Sequence, residues 1–186
     1  MTDKTEIILT AATNMFARYG YTKTTIGDIL VEAGVARQTL YNTFSSKEEI
    51  LRAVVRRSGE DMYAAVMDAW SKSEKIEDKL SVFHELVVVA LYETIQSSPD
   101  WEGLIEGLYQ AAADEMASQE IRWRRAMSEM FKDAEIPNSN APLSQEDIVD
   151  FFQSNSMNAK HGAKDIVHLK QRLKSIRIAT VELSKL

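Results

Sequence analysis

The chain has 186 residues, 45% of them hydrophobic, and a formal net charge of −6, which is enough apolar content for a folded core and excludes a disordered chain. It contains no cysteine, so disulfides, thiolate metal sites, thiol nucleophiles and cysteine redox sensing are excluded together. The opening residues Met1 to Glu6 are polar and the longest strongly apolar run, Leu86 to Tyr92, is too short to span a bilayer, so the expectation is a cytoplasmic protein without signal peptide or membrane segment.

The charge is unevenly placed. Residues 1–57 carry eight Lys/Arg against six Asp/Glu, whereas the remainder carries fourteen against twenty-two. A weakly positive front on an acidic body suits a phosphate-facing head, although so small an excess establishes nothing alone. Periodicity is helical almost throughout, and three prolines and seven glycines provide the breaks, so we expect an all-α protein of about nine helices.

The first helix is expected over Lys4 to Tyr19, with Asp3 and Glu6 as a capping box, an inward stripe of Ile8, Ala12, Met15 and Phe16, and Gly20 as its stop. A second begins at Thr25, whose hydroxyl can cap the amides near Asp28, and ends at Gly34. A short third helix follows from Arg37 to Asn42. Joined through Ala33-Gly34-Val35-Ala36, with Ile29, Val35 and Leu40 inward, the pair has the form of a helix-turn-helix. The outer face of the third helix then offers Arg37, Gln38, Thr39, Tyr41 and Asn42, side chains able to address guanine, adenine, a thymine methyl or phosphate. Taken alone, such a run also fits a merely solvated helix face.

The context of that run decides the reading. Phe16, Gly20, Thr25, Ile29, Ala33-Gly34-Val35, Leu40-Tyr41, Phe44, Lys47 and Leu51 stand at the spacing of the tetracycline-repressor (TetR) family, including a Tyr-x-x-Phe-x-x-Lys run from Tyr41 to Lys47. The resemblance covers about residues 5–55. It implies a three-helix DNA-binding domain over 1–50, a larger helical regulatory and dimerisation domain over 51–186 with an effector pocket, and pairing of subunits through the last two helices. Thr25 is then expected against a phosphate through its hydroxyl and nearby amides, with Tyr41 and Lys47 as further phosphate anchors. Ser46, Glu48 and Glu49 are expected to cap the fourth helix. Two positions depart from the family pattern: Gly27, where a longer polar side chain is usual, and Leu30, where a small residue is usual.

The fourth helix is expected from Ser46 to Trp70, with Leu51, Val54 and Val55 serving the head and Met62, Tyr63, Val66, Met67 and Trp70 the body, so that movement at one end is felt at the other. After a polar break at Ser71 to Glu77 come helices from Leu80 to Ile95, from Pro99, from Ala111 to Met116 and from Ser118 to Phe131. Phe83, His84, Tyr92, Trp101, Tyr109, Met116, Trp123, Met127 and Met130 are candidates for lining an effector cavity, with plain core packing as the alternative for each. His84 lacks companions at metal-ligand spacing. Were one helix to continue through Met116, Glu120 would join the face of Trp123 and Met127 and await a cationic ligand. A new helix at Ser118 would send it to solvent.

Near the end, Ile166, Leu169, Leu173, Ile176, Thr180 and Leu183 repeat at spacings of three and four, a seam that seeks another helix. Ser144 to Met157 supplies a neighbour with Ile148, Phe151 and Phe152 inward, after a loop at Asn138 to Pro142. The basic Lys170, Arg172, Lys174 and Arg177 would suit a membrane surface, but the acidic neighbour and the resemblance favour a dimeric bundle using Ile148, Phe152, Ile166, Leu169, Leu173, Ile176 and Leu183. No phosphate-cradling glycine loop, nucleophile elbow or zinc helix is present to suggest an enzyme, and no cofactor is expected. The expected partners are a double-stranded DNA operator, a second copy of the chain and a small hydrophobic effector. The alternative is a helical ligand-binding or interaction module without operator binding.

Overall fold

The computed structural model describes residues 4–132 and 143–185. Among them nine helices are present and no strand. In chain order these are α1 (Lys4–Tyr19), α2 (Ile26–Ala33), α3 (Arg37–Tyr41), α4 (Lys47–Ser71), α5, α6 (Trp101–Ala111), α7 (Ala113–Lys132), α8 (Gln145–Asn158) and α9 (Ile166–Leu183). Helix α5 joins an α-helical Ile76–Phe83, a π-helical His84–Val89 and an α-helical Ala90–Ser97. The expected Asp3 cap and the loop Asn138 to Pro142 lie outside the described residues.

The chain forms two compact units, each discontinuous in sequence: Met1–Asp61 with Thr94–Ser118, and Met62–Glu93 with Gln119–Leu186. The functional division expected between residues 50 and 51 falls inside α4, within the first of these.

In the first unit, the inward stripes of α1 and α2 bring Ile8, Ala12, Phe16 and Ile29 together with Leu40, Phe44, Ile50 and Leu51, all buried. Phe16 meets Tyr21 edge-on at 5.3 Å between ring centroids, a favourable aromatic geometry. Arg57 reaches from α4 to α1, donating to Glu6 Oε2, Thr10 Oγ1 and Thr13 Oγ1 at 3.0–3.2 Å. Helix α6 also belongs to this core. Its Ala111 is buried there, the Arg52 Nε–H donates to the Ala111 carbonyl at 2.8 Å, and the Thr22 amide donates to the Asp100 carboxylate at 2.7 Å. Gly107 is required by close approach, since a Cβ there would lie 2.6 Å from Tyr21 Cε1. The helix starts after Asp100 rather than at Pro99.

The second unit is built from α5, α8 and α9 with residues of α4 and α7. Phe83, Met127, Phe131, Ile148, Phe152, Leu169 and Leu173 are buried together, and Phe83 packs on Trp123 and Phe152 at 5.2 and 5.6 Å. The π-helical wind of α5 widens its buried face: Phe83 and His84 are both inward, followed by Val87, Val88 and Val89. A regular helix would bury only one stripe of such adjacent residues.

The seam expected on α9 exists, but its own chain fills it. Ile148, Phe152, Leu169 and Leu173 are 0–2% exposed, with Ile166, Ile176 and Leu183 half-buried at the margin of the same core. The assignment of those four enclosed residues to a dimer interface is therefore corrected: α5 and α8 of the same chain pack against α9, and nothing of the four remains for a second subunit. Of the two arrangements expected after Ala111, a break at Ser118 or one helix continuing through Met116, the second is present as α7, Ala113–Lys132.

Candidate nucleic-acid interface

The turn between α2 and α3 rests on Gly34, at φ +62° and ψ 30°, whose amide closes α2 by donating to the Leu30 and Val31 carbonyls. Only a residue without Cβ adopts this left-handed conformation at little cost. Helix α3 has five residues, too few to be stable alone. Its position comes from Leu40, which is fully buried, and from the Phe44 amide donating to the Leu40 carbonyl at 2.8 Å.

With Leu40 fixed inward, Arg37, Gln38, Tyr41 and Asn42 are exposed and Thr39 is half-buried. Asn42 is the C-cap rather than a helical residue. The outward side chains are paired with one another: Gln38 Nε2 donates to Asn42 Oδ1 at 2.7 Å, and the Arg37 guanidinium lies 5.5 Å from the Tyr41 ring centroid. Donors thus stand on one surface, held apart from the core, and no carboxylate among the described residues pairs with them.

The flanking residues are arranged differently from the sequence expectation. Thr25 caps α2, but its hydroxyl donates to Asp28 Oδ2 at 2.7 Å and accepts from the Asp28 amide at 3.2 Å. The Thr25 amide donates to the same carboxylate at 2.8 Å. These bonds, the hydroxyl first, hold the Asp28 carboxyl below its usual range, so the N-terminus of α2 already carries an anion where a phosphate was expected. Lys47 is half-buried, with Nζ donating to the carbonyls of Tyr21 at 3.1 Å, Thr24 at 3.2 Å and, more weakly, Thr22 at 3.5 Å. It also lies 4.3 Å from the Tyr21 ring centroid. In this structure Lys47 ties the α1–α2 connection to α4. Ser46 caps α4 as expected, accepting from the Glu49 amide at 3.2 Å, while the Glu49 carboxylate takes the Ser45 amide and hydroxyl at 2.7 Å.

The candidate effector residues separate. In the second unit Phe83, His84, Trp123 and Met127 are buried and Tyr92 is half-buried, whereas Glu120 is exposed. Although α7 runs unbroken through Met116, Gln119 rather than Glu120 stands four residues before Trp123. Glu120 instead faces Arg124 at 4.0 Å, which removes the case for a buried carboxylate. In the first unit Trp101, Tyr109 and Met116 are exposed, at 52%, 67% and 42%. His84 Nε2 is hydrogen-bonded to Ser156 Oγ at 2.9 Å and its ring stacks on Phe152 at 4.9 Å. Burial, reinforced by the nearby Arg177 charge, lowers its pKa to about 4. Asp28 as a built-in anion was open to sequence reading through the Thr-x-x-Asp spacing. The clasp of Asp100 on Thr22 was not, because 78 residues separate them.

Residues 8–54 match the family model described as bacterial regulatory proteins, tetR family. The chain is 32% identical over 82 residues to YezE of Bacillus subtilis (strain 168), an uncharacterized HTH-type transcriptional regulator, covering 44% of this chain and 42% of that protein. To YhgD of the same organism, described in the same words, it is 29% identical over 94 residues, 50% of this chain and 46% of that one. The chain thus spans less than half the length of the curated relatives it matches. In fold the chain is similar over its whole length to a TetR transcription regulator from Haloarcula marismortui ATCC 43049, with a TM-score of 0.71 at 18% identity, covering 99% of this chain and 97% of that one. The matched segment of the family model contains α1, α2, α3 and the start of α4, the elements that present Arg37 to Asn42.

Proposed function

We propose that this chain is a tetR-family protein, a cytoplasmic DNA-binding transcription regulator and repressor that binds a pseudo-palindromic operator as a homodimer. The observation that carries the reading is α3 itself: Leu40 has no exposed surface while Arg37, Gln38, Tyr41 and Asn42 stand outward. In a major groove an Arg addresses guanine O6 and N7, and Gln or Asn addresses adenine N6 and N7. The intrahelical pairs Gln38–Asn42 and Arg37–Tyr41 would exchange for base and phosphate contacts. Dimerisation is assigned to the outward strip of α9, where Val167 and Ile178 are 72% and 47% exposed. An effector acting on the helical body would bind free protein more tightly than the DNA complex by the same factor by which it weakens DNA binding. No described helix is long and apolar enough to cross a membrane.

The test titrates an operator selected from a random duplex pool, and a scrambled duplex, at several salt concentrations. Arg37→Ala and Gln38→Ala should each reduce discrimination between them by about 1–3 kcal/mol per lost bidentate contact and leave most nonspecific binding intact. Preservation of the specificity ratio in both variants would move the reading surface elsewhere. Two observations favour a second reading, a helical ligand-binding module without operator binding: Asp28 occupies the N-terminus of α2 and the Lys47 ammonium is spent on carbonyls. Absence of saturable, salt-sensitive duplex binding would select it.

A further inference from the structure

Within the second unit, α5 and α9 bound a groove of about 170 Å³ lined by three cationic side chains and one carboxylate, Glu85. A cavity of roughly 150 Å³ takes up a molecule the size of benzene, so this groove has room for one compact group. Lys170, Lys174 and Arg177 project from successive turns of α9 into it, against His84 and Leu173.

The cations are not equally engaged. Lys170 is paired with Glu85 at 2.8 Å, both about half exposed, a contact of little energetic weight. Arg177 donates through Nη1 to the Ser81 hydroxyl, which in turn donates to the Glu77 carbonyl at 2.8 Å. The Ser81 hydroxyl proton is thereby engaged and its oxygen fixes the guanidinium, so Ser81 acts as a positioning residue. Arg177 Nε is buried without a hydrogen bond, its nearest carboxylate being Glu77 at 3.8 Å. Lys174 is exposed and has no ion-pair partner among the described residues. In a chain with six more negative than positive charges, an unpaired ammonium beside an incompletely satisfied guanidinium across a small cavity is a receptor for negative charge: Arg presents a planar fork and Lys a mobile point charge.

We propose that this groove binds a small oxyanion, the phosphoryl or carboxylate group of a ligand, between Lys174 and Arg177. His84 forms a neutral part of the wall, since burial and the Arg177 charge hold its pKa at about 4, so the groove presents its positive charge through α9 alone. The proposal does not depend on operator binding, because the groove lies in the second unit and its test contains no DNA.

Inorganic phosphate and, separately, acetate are titrated into the full chain near neutral pH, with chloride holding ionic strength constant, while the ring ¹⁵N and ¹H resonances of His84, His161 and His168 are followed. Saturable shifts of His84, with His161 and His168 unmoved, are expected. Lys174→Gln should weaken binding at least about tenfold and Lys174→Arg should largely restore it. Lys185→Gln, which removes the same charge from the end of the chain, should titrate like the unaltered protein. Saturation by phosphate alone identifies a phosphoryl group as the ligand chemistry, and saturation by both anions admits carboxylates. Shifts that never saturate, or an unchanged phosphate titration in Lys174→Gln, would overturn the proposal.

Discussion

Replacing Lys47 with methionine separates two roles that one ammonium cannot fill at once. Methionine keeps most of the apolar stem, so packing is largely preserved and the loss is electrostatic. Two hydrogen bonds of ordinary length, to Tyr21 and Thr24, disappear with a longer one to Thr22 and a cation–π contact at 4.3 Å. At about 1 kcal/mol for each of the two good bonds and roughly 0.5 kcal/mol for the ring contact at a half-exposed site, the head should lose about 2–3 kcal/mol. For a chain of this length that lowers Tm by about 4–12 °C.

The same variant, titrated with duplex DNA against salt, reports on phosphate. Each phosphate neutralised contributes about 0.9 to the slope of log K against log salt. With the ammonium held by carbonyls, Lys47→Met should weaken operator and scrambled DNA alike through a looser head while the slope stays nearly constant. An unchanged Tm with a slope shallower by about 0.9 per subunit would refute this reasoning and make Lys47 a phosphate anchor.

Two glycines should respond in opposite ways to alanine. Gly27→Ala, on the exposed face of α2 with its nearest contact at 3.4 Å, should stabilise by up to about 1 kcal/mol. Gly107→Ala should destabilise by roughly 1–2 kcal/mol in urea unfolding, because the buried Tyr21 ring 2.6 Å away cannot swing aside and the clash exceeds the gain in helix propensity. His84, lowered to about 4 from 6.5, is neutral when folded, so the unfolded chain takes up its proton first. Its contribution is full above pH 6.5 and is lost as pH falls towards 4, at up to about 1.4 kcal/mol per pH unit, and the difference in urea-derived stability between wild type and His84→Asn should show that slope or the assignment fails. Ile178→Glu should shift the protein from dimer to monomer in light scattering with helicity retained, whereas Leu173→Glu should unfold the second unit. A folded monomeric Leu173→Glu would restore the enclosed seam to the interface.

What could be read from sequence was what neighbouring residues decide among themselves. The end of α2 at Gly34 depends on one left-handed residue, the cap at Thr25 on a hydroxyl three residues from Asp28, and the inward position of Leu40 on its spacing from Ile29 and Val35. The exposed set from Arg37 to Asn42 follows from that spacing, which is why the candidate interface was the most legible part of the chain. Even there, side-chain occupancy was partly hidden. The Asp28 carboxylate at the N-terminus of α2 follows from the local Thr-x-x-Asp spacing, but that Lys47 turns back to the Tyr21 and Thr24 carbonyls depends on angles between helices that no local pattern specifies.

The body shows the limit from the other side. Spacings of three and four along α9 announce a helix with one buried face, and Leu169 and Leu173 are buried, but periodicity carries no information about which chain supplies the cover. Here α5 and α8 do, and the π-helical wind through His84–Val89 widens the face that α5 presents. The exposed apolar residues of α9 are then the poorly patterned Val167 and Ile178, separated by charged and polar side chains, the strip proposed for dimerisation. An interface made from such a strip has a weak sequence signature, because its apolar residues are few and lie outside the strongest stripe. Glu120 follows the same logic in α7. In a continuous helix Gln119 and Glu120 stand about 100° apart around the axis, and the packing of Trp123 against Tyr63, Phe83 and Trp70 leaves Gln119 half-buried and Glu120 exposed.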